Sequence, residues 1–227
     1  MSGAGSLALV LVSGGMDSCV TAALAARDHP RLAFLHAGYG QRTAARERQA
    51  FLDLAAHFHV ERTIELDMRF LARVGGSSLT DTNVPVEVGR LGQPGIPSSY
   101  VPFRNANLLA QAVSWAEVLA AEAIYIGAVE EDSSGYPDCR EVFYEAFNRV
   151  IALGTRPAMR ARVVTPVIHK RKHEIVRLGA ALHAPFHLTW SCYQHEDRAC
   201  GVCDSCVLRL RGFAEAGVAD PIPYATR

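Results

Sequence analysis

Two stretches of this 227-residue chain carry residue types at spacings that can do chemistry. The first is Ser13-Gly14-Gly15-Met16-Asp17-Ser18, which follows the apolar run Leu7 to Val12 and precedes the helix-forming stretch Cys19 to Ala26. A buried strand, a glycine turn and a helix in that order gather backbone N–H groups and the positive end of a helix dipole at one point, which suits a phosphate or pyrophosphate. Gly14 and Gly15 let the backbone turn sharply and approach an anion closely. The loop lacks the Gly-Lys-Ser/Thr ending of a Walker A motif, no lysine occurs before position 170, and the G-x-G-x-x-G fingerprint is absent. What remains is a pyrophosphate grip without a lysine for the γ-phosphate. The second stretch holds Cys192, Cys200, Cys203 and Cys206, spaced C-x7-C-x2-C-x2-C. Two C-x2-C steps put sulfurs within reach of one ion, and four thiolates fill the tetrahedron zinc prefers, leaving no place for a reactive water. Such a site is structural, and His195 between the first two cysteines reads as a surface residue.

The elements that must hold these stretches follow from periodicity. Leu7–Val12, Leu32–His36, Glu61–Leu66, Ala123–Gly127 and Arg162–Pro166 read as strands. Thr43–Phe58, Asn105–Glu122, the segment ending at Leu153, Lys172–Leu182 and Val207–Ala216 read as helices. The helix from Asn105 is apolar nearly all round and is expected to lie buried against the sheet. Strand and helix alternate as in a doubly wound, mostly parallel α/β sheet of Rossmann-like type. The expected division is a 1–185 nucleotide-binding unit and a 186–227 zinc-binding helical annex packed on it. Ligands of such sheets sit at the carboxyl ends of the strands, where the Ser13–Ser18 and Gly38–Gln41 loops both lie, so Gln41 is a candidate for reading adenine or ribose. Residues 75–104, rich in Gly and Pro, read as a lid that ends in Tyr100-Val101-Pro102-Phe103-Arg104-Asn105. The loop after the Ala123–Gly127 strand is dense in carboxylates and hydroxyls with one aromatic. Tyr136 can stack on a planar heterocycle there, and Asp132 or Asp138 can accept from its N–H edge, although Asp138 also has the position of a helix cap.

Composition narrows the class. With 23 basic and 23 acidic side chains the formal charge is zero, which gives no global face for nucleic acid. The apolar run after Met1–Ser6 leads into the glycine turn and not a cleavage site, and it is too short to span a membrane, so the expectation is a cytoplasmic protein. Clustered cysteines in that compartment mean metal more often than disulfides.

The loop Ser13-Gly14-Gly15-x-Asp17-Ser18 resembles the signature of the PP-loop ATP pyrophosphatases, which have the adenine nucleotide alpha hydrolase fold. That resemblance implies cleavage of ATP between its α and β phosphates, and an ATP site formed by Val12, Ser13, Gly14, Gly15, Met16, Asp17, Ser18 and Gln41 with Mg2+ beside Asp17. Gly38-Tyr-Gly-Gln-Arg42, Val101-Pro-Phe-Arg-Asn105, Asp132 with Ser134-Gly-Tyr-Pro-Asp-Cys139, Thr165-Pro166 with Lys172, and the four cysteines together resemble the 7-cyano-7-deazaguanine synthase family of queuosine biosynthesis, from about Leu9 to Gly217. The implied substrates are 7-carboxy-7-deazaguanine, ammonia and ATP, and the implied assembly is a homodimer. Tyr136, Asp138 and Asp132 are the candidates for the base, and Arg104 and Lys172 for the carboxylate or α-phosphate. Met16 stands where glutamine is common in the family, Thr43 where histidine is, and Glu131 where threonine is. Two other classes compete. A tRNA thiolation enzyme would need Cys139 or Cys19 as its sulfur carrier, and a zinc-ribbon binding module would have no ATP chemistry.

Overall fold

A computed structural model describes residues 5–87, 95–130 and 135–225. Five strands, β1 (Leu7–Leu11), β2 (Arg31–Gly38), β3 (Arg62–Asp67), β4 (Ala123–Ile126) and β5 (Arg162–Val164), form one sheet in the order β3-β2-β1-β4-β5. Every pairing is parallel. The chain winds outward from β1 to β3, then returns to the other side of β1 for β4 and β5. The strand order therefore reverses between β1 and β4, and a crevice opens there at the strands' carboxyl ends.

Alternation along β1 assigns the two faces. Leu7, Leu9 and Leu11 pack with Leu109, Ala112 and Ala116 of α4 (Arg104–Leu119) and with Tyr144 and Ile151 of α5 (Glu141–Gly154). Ala8 and Val10 pack the opposite way, against Cys19, Ala22 and Ala25 of α1 (Met16–Asp28) and Phe51 and Leu54 of α2 (Ala44–His57). The central strands β1, β2 and β4 are buried on both sides, as a parallel sheet covered by helices requires, whereas the edge strand β3 is mostly exposed. α4 departs from the all-round burial expected of it. It buries one stripe, ends at Leu119 on a left-handed Ala120, and leaves Val118 77% exposed.

A short α3 (Phe70–Val74) precedes the Gly- and Pro-rich segment, whose described ends are anchored. Ser77 and Ser78 are fully buried, Leu79 and Val101 pack on Met68 and Leu71, and the Arg42 guanidinium donates to the carbonyls of Ser78, Asp81 and Val84. Helices α6 (Lys172–Ala181) and α7 (Asp204–Ala216) close the end of the molecule, burying Ile175, Val176 and Phe213 against Met16, Val20 and Leu24 of α1. α7 begins three residues before the Val207 expected for it, because Cys203 serves as its N-cap position and Asp204 enters its first turn.

Candidate functional site

The phosphate loop is clamped from two sides. Gly14 has φ +89°, and a Cβ there would stand 2.7 Å from the backbone oxygen of Glu47 and 2.9 Å from Ala50 Cβ, so α2 lies directly on it. Its carbonyl accepts the Trp190 N–H at 2.8 Å. Gly127, after β4, passes so close to the start of α1 that a Cβ would meet the Asp17 and Ser18 backbone at 2.9 Å. The Ser13 hydroxyl accepts from the Gly15 N–H and lies 3.3 Å from Ser18 Oγ. Gly15 and the first turn of α1, Met16 to Ser18, thus line the crevice at the positive end of the helix.

A cavity of about 320 Å3 extends from this loop. Val12, Ser13, Gly15, Met16, Asp17 and Ser18 line one end together with Lys172, and Tyr39, Arg104, Asn105, Tyr136 and Tyr193 line the other. Lys172 Nζ donates to Asp17 Oδ2 at 2.8 Å, while Asp17 Oδ1 is buried without a hydrogen-bond partner. Close approach of α7 to α6 at Gly212, where a Cβ would meet Lys172 Cβ at 2.7 Å, sets the base of that lysine. Arg104 donates to the Tyr39 hydroxyl at 3.1 Å and stacks over its ring. Burial pushes the Tyr39 phenol up to about 12, so it stays protonated and neutral. Tyr136 shares a 2.7 Å hydrogen bond with Ser99 and leans on Tyr100.

Three residues anticipated at the site have other neighbours. Asp138 is 3% exposed, and its carboxylate accepts the Asn105 backbone N–H at 2.9 Å. It therefore caps the start of α4, next to Arg104, and not its own helix. Gln41 is 5% exposed; its oxygen takes the Tyr39 N–H and its amide donates to Glu47 Oε2. Neither Gln41 nor Asp138 is among the cavity-lining residues, and Gly14 lies beneath the lining. Asp132 and Glu131 fall outside the described residues.

Other lining residues carried no local signal. Glu47 reads as the solvated face of an amphipathic helix, yet it lines the cavity, and its carboxylate is held by Thr43 Oγ1 at 2.8 Å and Gln41 Nε2 at 3.0 Å. Burial raises its pKa, and the Thr43 and Gln41 hydrogen bonds and the Arg104 charge oppose that rise. Trp190 and Arg209 also line the cavity. Arg209 is 1% exposed; it grips Asp220 through two nitrogens at 2.8 and 2.9 Å and donates to Thr189 and Ser191.

The four C-terminal cysteines converge with all sulfurs within 4.8 Å of one another, and Cys200 and Cys206 are 3.9 Å apart. A tetrahedron of Zn–S bonds of about 2.3 Å has sulfurs about 3.8 Å apart, so the spacing fits a metal ion. Cys192 Sγ accepts the backbone N–H of Gln194, His195 and Cys200, and Cys200 Sγ those of Val202 and Cys203. Such donors favour thiolates. His195 is exposed and outside the group. Trp190 ties the knuckle to the phosphate loop: it packs with the cysteines, and its indole N–H donates to the His195 carbonyl.

A parallel sheet in this strand order, with Ser-Gly-Gly-x-Asp-Ser at the turn where the order reverses, defines an α/β protein of the PP-loop class. The solved structure of a 4-thiouridine synthetase–RNA complex with bound ATP aligns at TM-score 0.53 and 18% identity, covering 98% of this chain and 47% of that one, a likeness of fold alone. Residues 7–217 match the family described as queuosine biosynthesis protein QueC, and the chain belongs to that family. Proteins called 7-cyano-7-deazaguanine synthase from Chlorobium chlorochromatii (strain CaD3) and Koribacter versatilis (strain Ellin345) are 59% and 58% identical to it. Each match covers 97% of this chain, with 96% and 94% of the respective relatives.

Proposed function

We propose that this chain converts 7-carboxy-7-deazaguanine, ammonia and ATP into 7-cyano-7-deazaguanine, through an adenylated acid and then an adenylated amide, in queuosine biosynthesis. The observation that carries the reading is a single cavity lined by both the phosphate loop and Arg104 with Tyr136, in a chain whose relatives of that name match it almost end to end.

A carboxylate resists ammonia because its oxygen leaves poorly and its charge repels an electron pair. Transfer of AMP removes both obstacles. The N–H groups of Gly15 to Ser18 and the Ser18 hydroxyl hold the departing pyrophosphate, and Lys172 offsets charge as it develops on the α-phosphate. Asp17 Oδ1, buried and unpartnered, suits a hard cation, and Mg2+ there would neutralise the phosphate oxygens. Arg104, its fork steadied by Tyr39, receives the substrate carboxylate. Tyr136 stacks on the base, and Asp138 works indirectly by fixing the start of α4. Gln41 works through Glu47. No covalent nucleophile is required; positioning and electrostatics carry the chemistry.

The cysteine knuckle would hold zinc as a structural ion. Residues 1–185 form the ATP-handling unit and 186–227 the metal-binding region against it. Zero formal charge supports small-molecule substrates over nucleic acid, and no described helix is long and apolar enough to cross a membrane. The working form is a cytoplasmic homodimer. Of the two cysteines the thiolation alternative could use, Cys19 is fully buried, with burial pushing its thiol up to about 12 despite the Arg209 charge, so that alternative would have to rest on Cys139, which lines the cavity and accepts from Asn105.

The test follows pyrophosphate and the deazapurine by mass in a mixture of purified protein, ATP, magnesium, ammonium and 7-carboxy-7-deazaguanine. Pyrophosphate release with acid passing to amide and then nitrile supports the reading. Release that ends in another amine's adduct would show that the acceptor is wrong, and no release would sink the ATP site.

A further inference from the structure

The reaction proposed above moves protons at nitrogen in every step after activation, and the chain must supply an acceptor near the acyl carbon. Ammonium has no lone pair, so one proton must leave before nitrogen can attack. A second leaves as the tetrahedral adduct expels AMP and becomes the amide. After the amide oxygen is adenylated, two more leave nitrogen as the C–O bond breaks, AMP takes that electron pair, and C≡N forms.

We infer that Glu47 is the catalytic base that takes these protons from the nitrogen nucleophile, an assignment that rests on the function proposed above. Its place is the first argument. Pyrophosphate belongs at the loop and the base at the Tyr136 end, so the acyl carbon lies between them. Glu47 spans that interval: its main-chain oxygen lies against Gly14, and its carboxylate connects through Gln41 to Tyr39, which holds Arg104. Its competitors are the second argument. Asp17 is engaged with Lys172 at the phosphate end, and Asp204 stands in the first turn of α7 between metal-ligand cysteines. Tyr39 and Tyr193 are raised well above neutrality by burial and keep their protons.

The third argument is the carboxylate's own preparation. Tyr39 N–H fixes the Gln41 oxygen, so the amide must turn its NH2 toward Glu47; with Thr43, two donors hold one edge of each oxygen. A carboxylate has about four lone-pair sites, which leaves two for substrate. Burial lifts its affinity for a proton toward the working range of a general base. The charged and titratable groups that face it are Arg104, Tyr39 and Glu196.

The test separates activation from amidation. Glu47→Gln keeps an oxygen for Gln41 and an amide that can donate to Thr43, and its fold is checked by melting. Expected is acid-dependent exchange of labelled pyrophosphate into ATP close to that of the unaltered protein, with ammonium-dependent turnover down about 10²–10⁴-fold at neutral pH. The deficit should shrink as rising pH supplies free ammonia, and hydroxylamine, already unprotonated at neutral pH, should restore acyl transfer to the hydroxamate. Loss of exchange in step with turnover, an unaltered pH profile, or failure of hydroxylamine to rescue would each overturn the assignment. If the glutamine variant does not fold, Glu47→Asp, with its carboxylate one methylene short, is expected to show the same split. Absence of exchange in the unaltered protein would remove the function proposed above and this assignment with it, whereas exchange without the split removes only the base.

Discussion

Lys172 is one of two lysines in a chain whose other basic side chains are arginines. A compact ammonium suits a phosphate that must be released again, because it is a point charge and not a bidentate fork. Lys172→Ala retains the Cβ that packs on Gly212 but leaves the Asp17 carboxylate without its partner, so it should lower the melting temperature modestly while lowering kcat/KM by about 10²–10³-fold. Equal losses of activity and stability would assign the lysine to packing. Gly14 is constrained in the opposite sense. Gly14→Ala puts a methyl group into Glu47 and Ala50 at a left-handed φ, which costs about 1–3 kcal/mol of backbone strain. α2 must then shift, carrying Glu47 with it. Isothermal titration with ATP should show binding lost in a protein that still folds.

At the scale of elements, the knuckle and the phosphate loop behave as one body. Cys206 sits in α7, Arg209 one turn later locks Thr189 and Asp220, and Trp190 next to Thr189 hydrogen-bonds Gly14. Stripping the metal with a chelator should therefore weaken ATP binding as well as lower the melting temperature. In a Trp115→Phe background the emission of Trp190 should change in the same titration. Retained ATP affinity after complete metal loss would show that the two are independent. The buried Arg209–Asp220 pair makes a parallel case. Asp220→Ala leaves an uncompensated guanidinium, a loss of about 3–5 kcal/mol, or a melting temperature lower by about 6–20 °C for a chain of this size.

For the whole molecule, one buried group predicts an acid sensitivity. His36 is 4% exposed, stacks on Phe51 and contacts the Val12 carbonyl at the root of the phosphate loop. Burial lowers its pKa from the usual 6.5, with the Val12 carbonyl and Glu65 opposing and Arg48 assisting. The unfolded chain then binds the proton more readily. The stability this neutral histidine contributes is intact above the unfolded value and is lost as pH falls from there toward the folded one. Melting temperatures should begin to drop as pH falls through about 6.5, and His36→Gln should flatten part of that slope; an unchanged slope would place the sensitivity elsewhere.

The sequence by itself determined the parallel α/β alternation, the pyrophosphate turn at Ser13–Ser18, the cysteine knuckle and the candidates Arg104 and Lys172. Each is a local pattern: strands buried on both faces must be apolar throughout, an anion turn needs glycine before a helix, and metal-binding sulfurs need short loops. Tertiary structure alone decided what lies across the crevice from that turn. Glu47 shares its helix face with residues that would be solvated in an isolated helix, and only docking of α2 onto Gly14 turns it inward. Asp138 has the sequence position of a cap for the helix that follows, but the N–H its carboxylate accepts belongs to α4, which strand order brings beside it. Trp190 reaches the phosphate loop because residues 186–225 fold back over α1, a contact made across 176 positions of sequence. Local propensity records what a segment can become; which polar groups meet depends on crossovers that no short window contains.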